Sequence, residues 1–292
     1  MLKTWWLAAR PKTLPASISP ILLGSALAWS DDGLRLTVLV LALICAMALQ
    51  IAVNFANDWS DARSGVDTPD RLGPQRIMHS GMATDGQMKL ALIVVSLVAL
   101  LSGLGIVWLS HWSLLVFGLA SMLGVFAYSG GPYPLASHGL GEVTVFLFFG
   151  LLAVVGTYFA HTQALTLTSF GYAAVAGLIS AAIMLVNNLR DIPTDAQANK
   201  RTLAVRLGDT ATRQLYQWML IAALVLHLLV SFPIGLWGVI PALLLAPLVV
   251  KRFKEVNRLQ GRDLNQLLAN TAKLELVYCL VTSVILVLPF VE

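Results

Sequence analysis

Nine stretches of this chain are apolar over close to a membrane thickness, near 14–30, 36–56, 90–109, 112–129, 142–160, 168–189, 213–232, 234–250 and 271–290. A helix needs about 20 mostly apolar residues to cross the hydrocarbon core of a bilayer. Only helices and closed barrels can satisfy their backbone there. The runs are continuous rather than alternating, which excludes the strands of a barrel. The fold class that follows is an all-α integral membrane protein with nine transmembrane helices, one domain over residues 1–292. Composition agrees: 12% of the residues are charged, about half the share of a soluble domain. Several segments fall short of 20 residues and contain Pro or Gly, with Pro15 and Pro20 in the first, so kinks or tilts are expected. Met1–Arg10 is too short and too aromatic for a cleavable signal peptide, so the first apolar segment is expected to remain as a helix. Cys45 and Cys279 sit in separate apolar segments and read as packing residues, with no disulfide framework or metal spacing.

Basic residues orient the helices. Lys3, Arg10 and Lys12 precede the first segment, and Arg63, Arg71, Arg76 and Lys89 lie between the second and third. Arg190, Lys200, Arg201, Arg206 and Arg213 lie at the connection from sixth to seventh. Lys251, Arg252, Lys254, Arg258, Arg262 and Lys273 surround the one from eighth to ninth. Of 19 Lys and Arg, only Arg35 falls on the other side. Lys and Arg mark cytoplasmic loops, so the N-terminus is expected inside and, after nine crossings, the C-terminus outside. The net charge of +4 then reflects topology beside anionic membrane lipid, and nucleic acid is not an expected partner.

Against this charge-poor background, Asn57–Arg71 reads NDWSDARSGVDTPDR. It carries four of the 15 acidic residues, Asp58, Asp61, Asp67 and Asp70, directly after an apolar run. A second polar group, VNNLRDIPTD at Val186–Asp195, closes the sixth segment. A shift of 130 positions lays Asn57 on Asn187 and Asp61 on Asp191. The offset suggests a pseudo-repeat with halves at about 14–130 and 142–250, followed by the ninth helix at 271–290. On a helix Asn54, Asn57, Asp58 and Asp61 share one face, and Asn187, Asp191 and Asp195 share another.

Carboxylates crowded at one membrane face repel one another and are costly near lipid unless neutralised. Mg²⁺ takes a few carboxylates together with substrate phosphate oxygens rather than a full protein cage. Arg76, Lys200 and Arg206 are near enough in sequence to take the remaining phosphate oxygens. This donor set suits a diphosphate, and inside a helix bundle a diphosphate implies a polyprenyl diphosphate with its tail in lipid. A cation at the departing diphosphate stabilises the charge that develops there. A lone Asp or Asn at a helix end usually caps the helix; two matched groups at matched spacing are harder to assign to capping.

At these residues the chain resembles the UbiA superfamily of intramembrane aromatic prenyltransferases, whose first motif reads N-D-x-x-D with a further Asp. Asn57, Asp58 and Asp61 match it, while Gly65 stands four positions after Asp61 and the next carboxylate is Asp67. That displacement is similar to the 1,4-dihydroxy-2-naphthoate branch of the superfamily. Further matches to the branch are RPKTLPASISPILLGSALA (Arg10–Ala28), DRLGPQR (Asp70–Arg76), GPYPLASHGLGE (Gly131–Glu142) and NNLRDIPTDAQANKRTLAVRLG (Asn187–Gly208). Related 4-hydroxybenzoate enzymes carry a Lys-Arg pair after the Tyr-Pro of the loop before the fifth helix; YSGGPYPLASHG has none. The resemblance implies a UbiA-type bundle with cytoplasmic cap loops in a bacterial inner membrane. It implies transfer of a polyprenyl group from polyprenyl diphosphate to 1,4-dihydroxy-2-naphthoate with loss of the carboxylate, giving demethylmenaquinone. It assigns Mg²⁺–diphosphate binding to Asp61, Asp67, Asp191 and Asp195, with Asp58 beside them, and puts Asp61 and Asp191 at the centre of catalysis. Arg76 matches the base of an R-x-x-x-S-G stretch (Arg76–Gly81), and Lys200 the base after the second motif. Asn57, Asn187, Arg71 and Arg206 complete the expected substrate contacts.

Other residues admit two readings. Tyr128 either orients the acceptor and steadies an allylic cation through its ring, or belongs to the interfacial aromatic belt. Glu142 serves the site or suits the helix dipole at the start of the fifth helix. Gln50 and Asn54 face the acceptor or bond between helices. The five His show no metal spacing. Two other functions fit the same gross pattern: a superfamily member with another aromatic acceptor, and a secondary transporter, although transporter sites lie near the bilayer midplane. Segments 57–89 and 190–213 are expected to fold over the site as a cap.

Overall fold

The computed structural model describes residues 2–11, 13–64, 72, 76–128, 130 and 133–288. Among these residues every regular element is helical: α1 (Leu2–Ala9), α2 (Leu14–Ser30), α3 (Leu36–Ser64), α4 (Asp85–Leu109), α5 (Leu114–Ala127), α6 (Gly141–Val145), a π-helical segment (Phe146–Val155), α7 (Gly156–Thr162), α8 (Leu167–Gln197), α9 (Leu203–Val230), α10 (Leu236–Arg258) and α11 (Leu264–Val287). From α6 to α7 the chain runs as one apolar rod, Gly141–Thr162. This rod and α3, α4, α8, α9, α10 and α11 make seven helices long and apolar enough to cross a membrane. The first and fourth expected segments are apolar helices too, but short: α2 has 17 residues and α5 has 14, or roughly 21 Å for α5 at 1.5 Å per residue.

The apolar runs mark the middles of these helices well and their ends poorly. α3 continues to Ser64 and α8 to Gln197, straight through both polar groups. α9 starts at Leu203, α10 reaches Arg258 and α11 starts at Leu264. The apolar edge records where side chains stop suiting lipid. Backbone bonding continues past it, because the i→i−4 ladder does not depend on lipid; the end of α10, KRFKEVNR, is also rich in good helix formers. Starts are better signposted. Thr84 and Gln87 form a capping box ahead of α4, each side chain taking the other's backbone N–H, and Thr166 with Ser169 does the same for α8.

Packing divides the molecule into a dense and a loose half. The dense half joins α2, the π-helical segment and α8 to α9–α11 through one buried cluster that includes Leu23, Ala173, Tyr216 and Leu267. Glycines bring its helices close. A Cβ on Gly150 would collide with Gly177 of α8, and one on Gly24 with the Val154 carbonyl. Small residues are how helices approach closely where lipid supplies no hydrophobic drive. The loose half is α1 and α3–α5. Phe55, Ile77 and Met88 are buried there, but α5 buries only Leu114 and Val125. Aliphatic side chains such as Leu101 (67% exposed) and Leu123 (70%) stand on its outside, a surface suited to lipid.

Candidate functional site

Between the two halves lies a cavity of ≈ 480 Å³. Its mouth is polar, lined by Asn57, Asp61 and Arg76 from one side and by Asn187, Asp191, Asp195 and Lys200 from the other. Its depth is apolar, with Leu104 of α4, Met122 of α5 and Phe148, Phe149 and Leu152 of the π-helical segment on the wall. π-helical turns are rare and concentrate at functional sites; here one supplies the aromatic wall.

The first carboxylate group is braced from outside its helix. Asp61, 6% exposed, accepts from the Arg76 guanidinium and from Lys200 Nζ at 3.4 Å. Asp58 turns away from the cavity and accepts the backbone N–H groups of Ile77 (3.0 Å) and Met78 (3.3 Å). Its carboxylate therefore holds the turn that delivers Arg76 to Asp61. Deeper on α3, Asn54 donates to the Ala9 carbonyl at 2.9 Å and accepts from Gln50 at 3.3 Å, while both line the cavity. Interhelical bonding and exposure to the cavity thus coexist at this pair.

The second group is braced mainly by its own helix. Arg190, 2% exposed, donates to both oxygens of Asp191 (2.7 and 2.6 Å), to Asn187 Oδ1 (2.9 Å) and to Asn265 Oδ1 (2.7 Å). Asn265 in turn donates to the Leu72 and Arg262 carbonyls at 3.0 and 2.9 Å. Beside this network Asn188 donates to Glu142 at 2.8 Å. Tyr128, whose hydroxyl reaches Met184 Sδ at 3.0 Å, lines the cavity near the mouth.

The structure thus brings together Asn54, Asn57, Asp61, Arg76, Tyr128, Asn187, Asp191, Asp195 and Lys200. Asp58 and Glu142 are buried beside the cavity, off its lining. Arg206 also lies off it: the guanidinium donates to the His138 and Arg201 carbonyls at 2.9 and 3.1 Å, pinning the loop before α6. Asp67 and Arg71 lie outside the described residues. Three residues absent from the expected site belong to it. Arg10 lines the mouth, Arg190 holds Asp191, and Asn265 holds Arg190. Arg190 had one sequence signal, its place between Asn187 and Asp191 on a helix that buries most of its surface; Asn265 had none.

Among the described residues no three His, Cys, Asp or Glu side chains form a group that could hold a metal ion by themselves. The donors that line the mouth are nonetheless hard oxygens, Asp61 on one side and Asp191 and Asp195 on the other. That chemistry suits Mg²⁺, which binds through one or two carboxylates and completes its shell with phosphate oxygens and water. Arg76 and Lys200, already at the mouth, are the cations able to exchange a carboxylate for a phosphate oxygen.

Comparison with known proteins agrees with this architecture. The chain is 40% identical over 283 residues to the 1,4-dihydroxy-2-naphthoate octaprenyltransferase of Mycobacterium tuberculosis, covering 96% of this chain and 95% of that protein. It is 39% identical over 264 residues to the 1,4-dihydroxy-2-naphthoate octaprenyltransferase of Escherichia coli, covering 88% and 85%. Among solved structures, a UbiA homologue from Archaeoglobus fulgidus bound to GPP and Mg²⁺ has a TM-score of 0.72 at 14% identity, covering 98% of this chain and 100% of that one. At that identity the likeness speaks for the fold alone. Residues 17–277 match the UbiA prenyltransferase family, and with relatives of this similarity along nearly its whole length, the chain belongs to that family.

Proposed function

We propose that the chain transfers a polyprenyl group from a polyprenyl diphosphate to 1,4-dihydroxy-2-naphthoate, giving the prenylated nucleus of demethylmenaquinone. The observation that carries this reading is a cavity with two unlike ends: Asp61, Asp191 and Asp195 with Arg76 and Lys200 at the mouth, apolar side chains below. A polyprenyl diphosphate has the same two ends. The naphthoate acceptor is supported by the relatives' names and by the lack of Lys and Arg between Tyr128 and Glu142. A bundle of nine crossings in a bacterial inner membrane, with the N-terminus and the mouth on the cytoplasmic face, completes the reading. It is supported by the one-sided Lys and Arg.

In the reaction the allylic C–O bond breaks with its electron pair leaving on the diphosphate. A C–C bond forms to the ring carbon bearing the carboxylate, and that carboxylate departs as CO₂. Asp61, Asp191 and Asp195 would hold Mg²⁺, which when bound neutralises charge on the departing diphosphate. Arg76 and Lys200 bind the diphosphate oxygens. Tyr128 lines the same cavity, and its ring would steady the allylic carbon as it becomes cationic. The turn held on Asp58 brings Arg76 to the mouth, where with diphosphate bound it would help to exclude water from that carbon. Purified protein in lipid nanodiscs, given Mg²⁺, octaprenyl diphosphate and equal amounts of 1,4-dihydroxy-2-naphthoate and 4-hydroxybenzoate, tests this by mass spectrometry. The expected product is the decarboxylated prenyl naphthohydroquinone, detected as such or as the quinone that air oxidation makes from it; prenyl hydroxybenzoate as the main product overturns the acceptor.

A further inference from the structure

At the end of the cavity away from the carboxylates, buried apolar residues stand one turn beyond two glycines. Val38, Leu114 and Ala160 pack there as a buried cluster. Leu114 and Ala160 also line the cavity and so form its floor. Arg35 fastens this floor from the far side. It donates to the Leu109 carbonyl at the end of α4 (2.6 Å) and to the Ala160 carbonyl of α7, while its backbone N–H donates to His161 Nδ1 at 3.1 Å. One turn nearer the mouth, Gly118 stands above Leu114 and Gly156 above Ala160. A spacing of four residues puts each glycine on the same helix face as the floor residue beneath it.

Both glycines line the cavity, and a Cβ on either meets nothing within 4 Å. This separates them from Gly24, Gly150 and Gly177, where a Cβ would strike a neighbouring helix. Those three are small so that helices can touch. Gly118 and Gly156 touch no neighbour at that point, and their smallness leaves open space. Gly156 lies 14 residues after Glu142, roughly 20 Å along the rod. The first isoprene units of a donor held at the mouth do not reach it.

On the reading of the donor given above, we propose that Gly118 and Gly156 set the specificity for long prenyl chains. The gap between them takes the distal isoprene units, which turn at the floor and leave sideways between α4 and α5. There Leu100, Leu104 and Phe117 both line the cavity and are 42–46% exposed. A large side chain at either glycine fills the gap with no backbone collision. A short donor, whose tail ends above the gap, is affected far less.

The test compares kcat/KM for geranyl diphosphate and octaprenyl diphosphate, with one acceptor, in wild type, Gly118→Phe, Gly156→Phe and Gly156→Ala. We expect the long-to-short ratio to fall about tenfold or more in the Phe variants, mainly through KM for the long donor, and only about twofold in Gly156→Ala. Turnover of the short donor shows that the variants fold. A ratio unchanged in both Phe variants, or an equal loss on both donors, overturns the proposal. A wild type that turns over neither donor overturns the donor reading itself, and is told apart because the silence precedes any substitution.

Discussion

The two carboxylate groups share residue types at a constant offset and are held in opposite ways. Asp191 is gripped by its own neighbour Arg190, which also takes Asn187 three residues back. Asp61 is gripped by Arg76, 15 residues on, and by Lys200, 139 residues on. Its helix neighbour Asp58 holds the turn that brings the first of these. A group braced along one helix is set once the helix forms. A group braced by loops is set only once the loops seat, and such segments open at lower free energy than packed helices. The second group is therefore the preorganised half of the site and the first the adjustable half.

The sharpest test of equivalence between the groups is Asp61→Asn against Asp191→Asn. Each is expected to lower prenyl transfer by about a thousandfold, the scale of losing a main electrostatic contact to a transition state. Near wild-type turnover in either variant at saturating Mg²⁺ breaks the two-group site. Arg190→Ala comes next. It leaves a mostly buried carboxylate without its cation and is expected to cost about 3–5 kcal/mol, read as a fall in thermal midpoint in detergent. An unchanged midpoint would show that the second group is not braced by its own helix.

Asp58→Asn is expected to destabilise the Arg76–Gly81 turn by about 1–3 kcal/mol, since one carboxylate oxygen becomes a donor facing a buried N–H. Hydrogen exchange at Ile77 and Met78 should quicken while turnover falls less than in Asp61→Asn. An equal fall in turnover would move Asp58 into the set that meets the diphosphate. The smallest effect is expected from Lys200→Ala, whose 3.4 Å contact joins a side chain 23% exposed. KM for the prenyl diphosphate should rise about two- to fivefold, within the range of weak ion pairs, and KM for the acceptor should stay level. A rise confined to the acceptor would remove Lys200 from the diphosphate end.

How far the sequence could be read follows from what each signal measures. Apolar runs report burial in lipid, so they located every long helix and missed the polar turns that extend α3 and α8. Helical spacing reports direction, so Asn57 with Asp61, and Asn187 with Asp191 and Asp195, were legible as faces and do line one cavity. Spacing could not separate Asp58 from that face, because what turns it away is a pair of backbone amides arriving from a loop. Charge counts read Arg190 and Arg35 as topology marks. Burial and hydrogen bonding, which depend on distant residues such as Asn265 and Leu109, make one a brace and the other a fastening.

The crossing of Gly150 and Gly177 limits how an enzyme of this design can change over evolutionary time. With no room for a Cβ between them, the strip carrying Phe148 and Phe149 and the helix carrying Asp191 keep one fixed separation, and a side chain gained at either position would force them apart. New acceptor sizes must then come from altered side chains on that frame, or from the opposite side, where α5 is anchored by two buried residues and has room to shift. Lineages that diverge in substrate are expected to gather their substitutions on α3–α5, and to inherit the other half nearly unaltered.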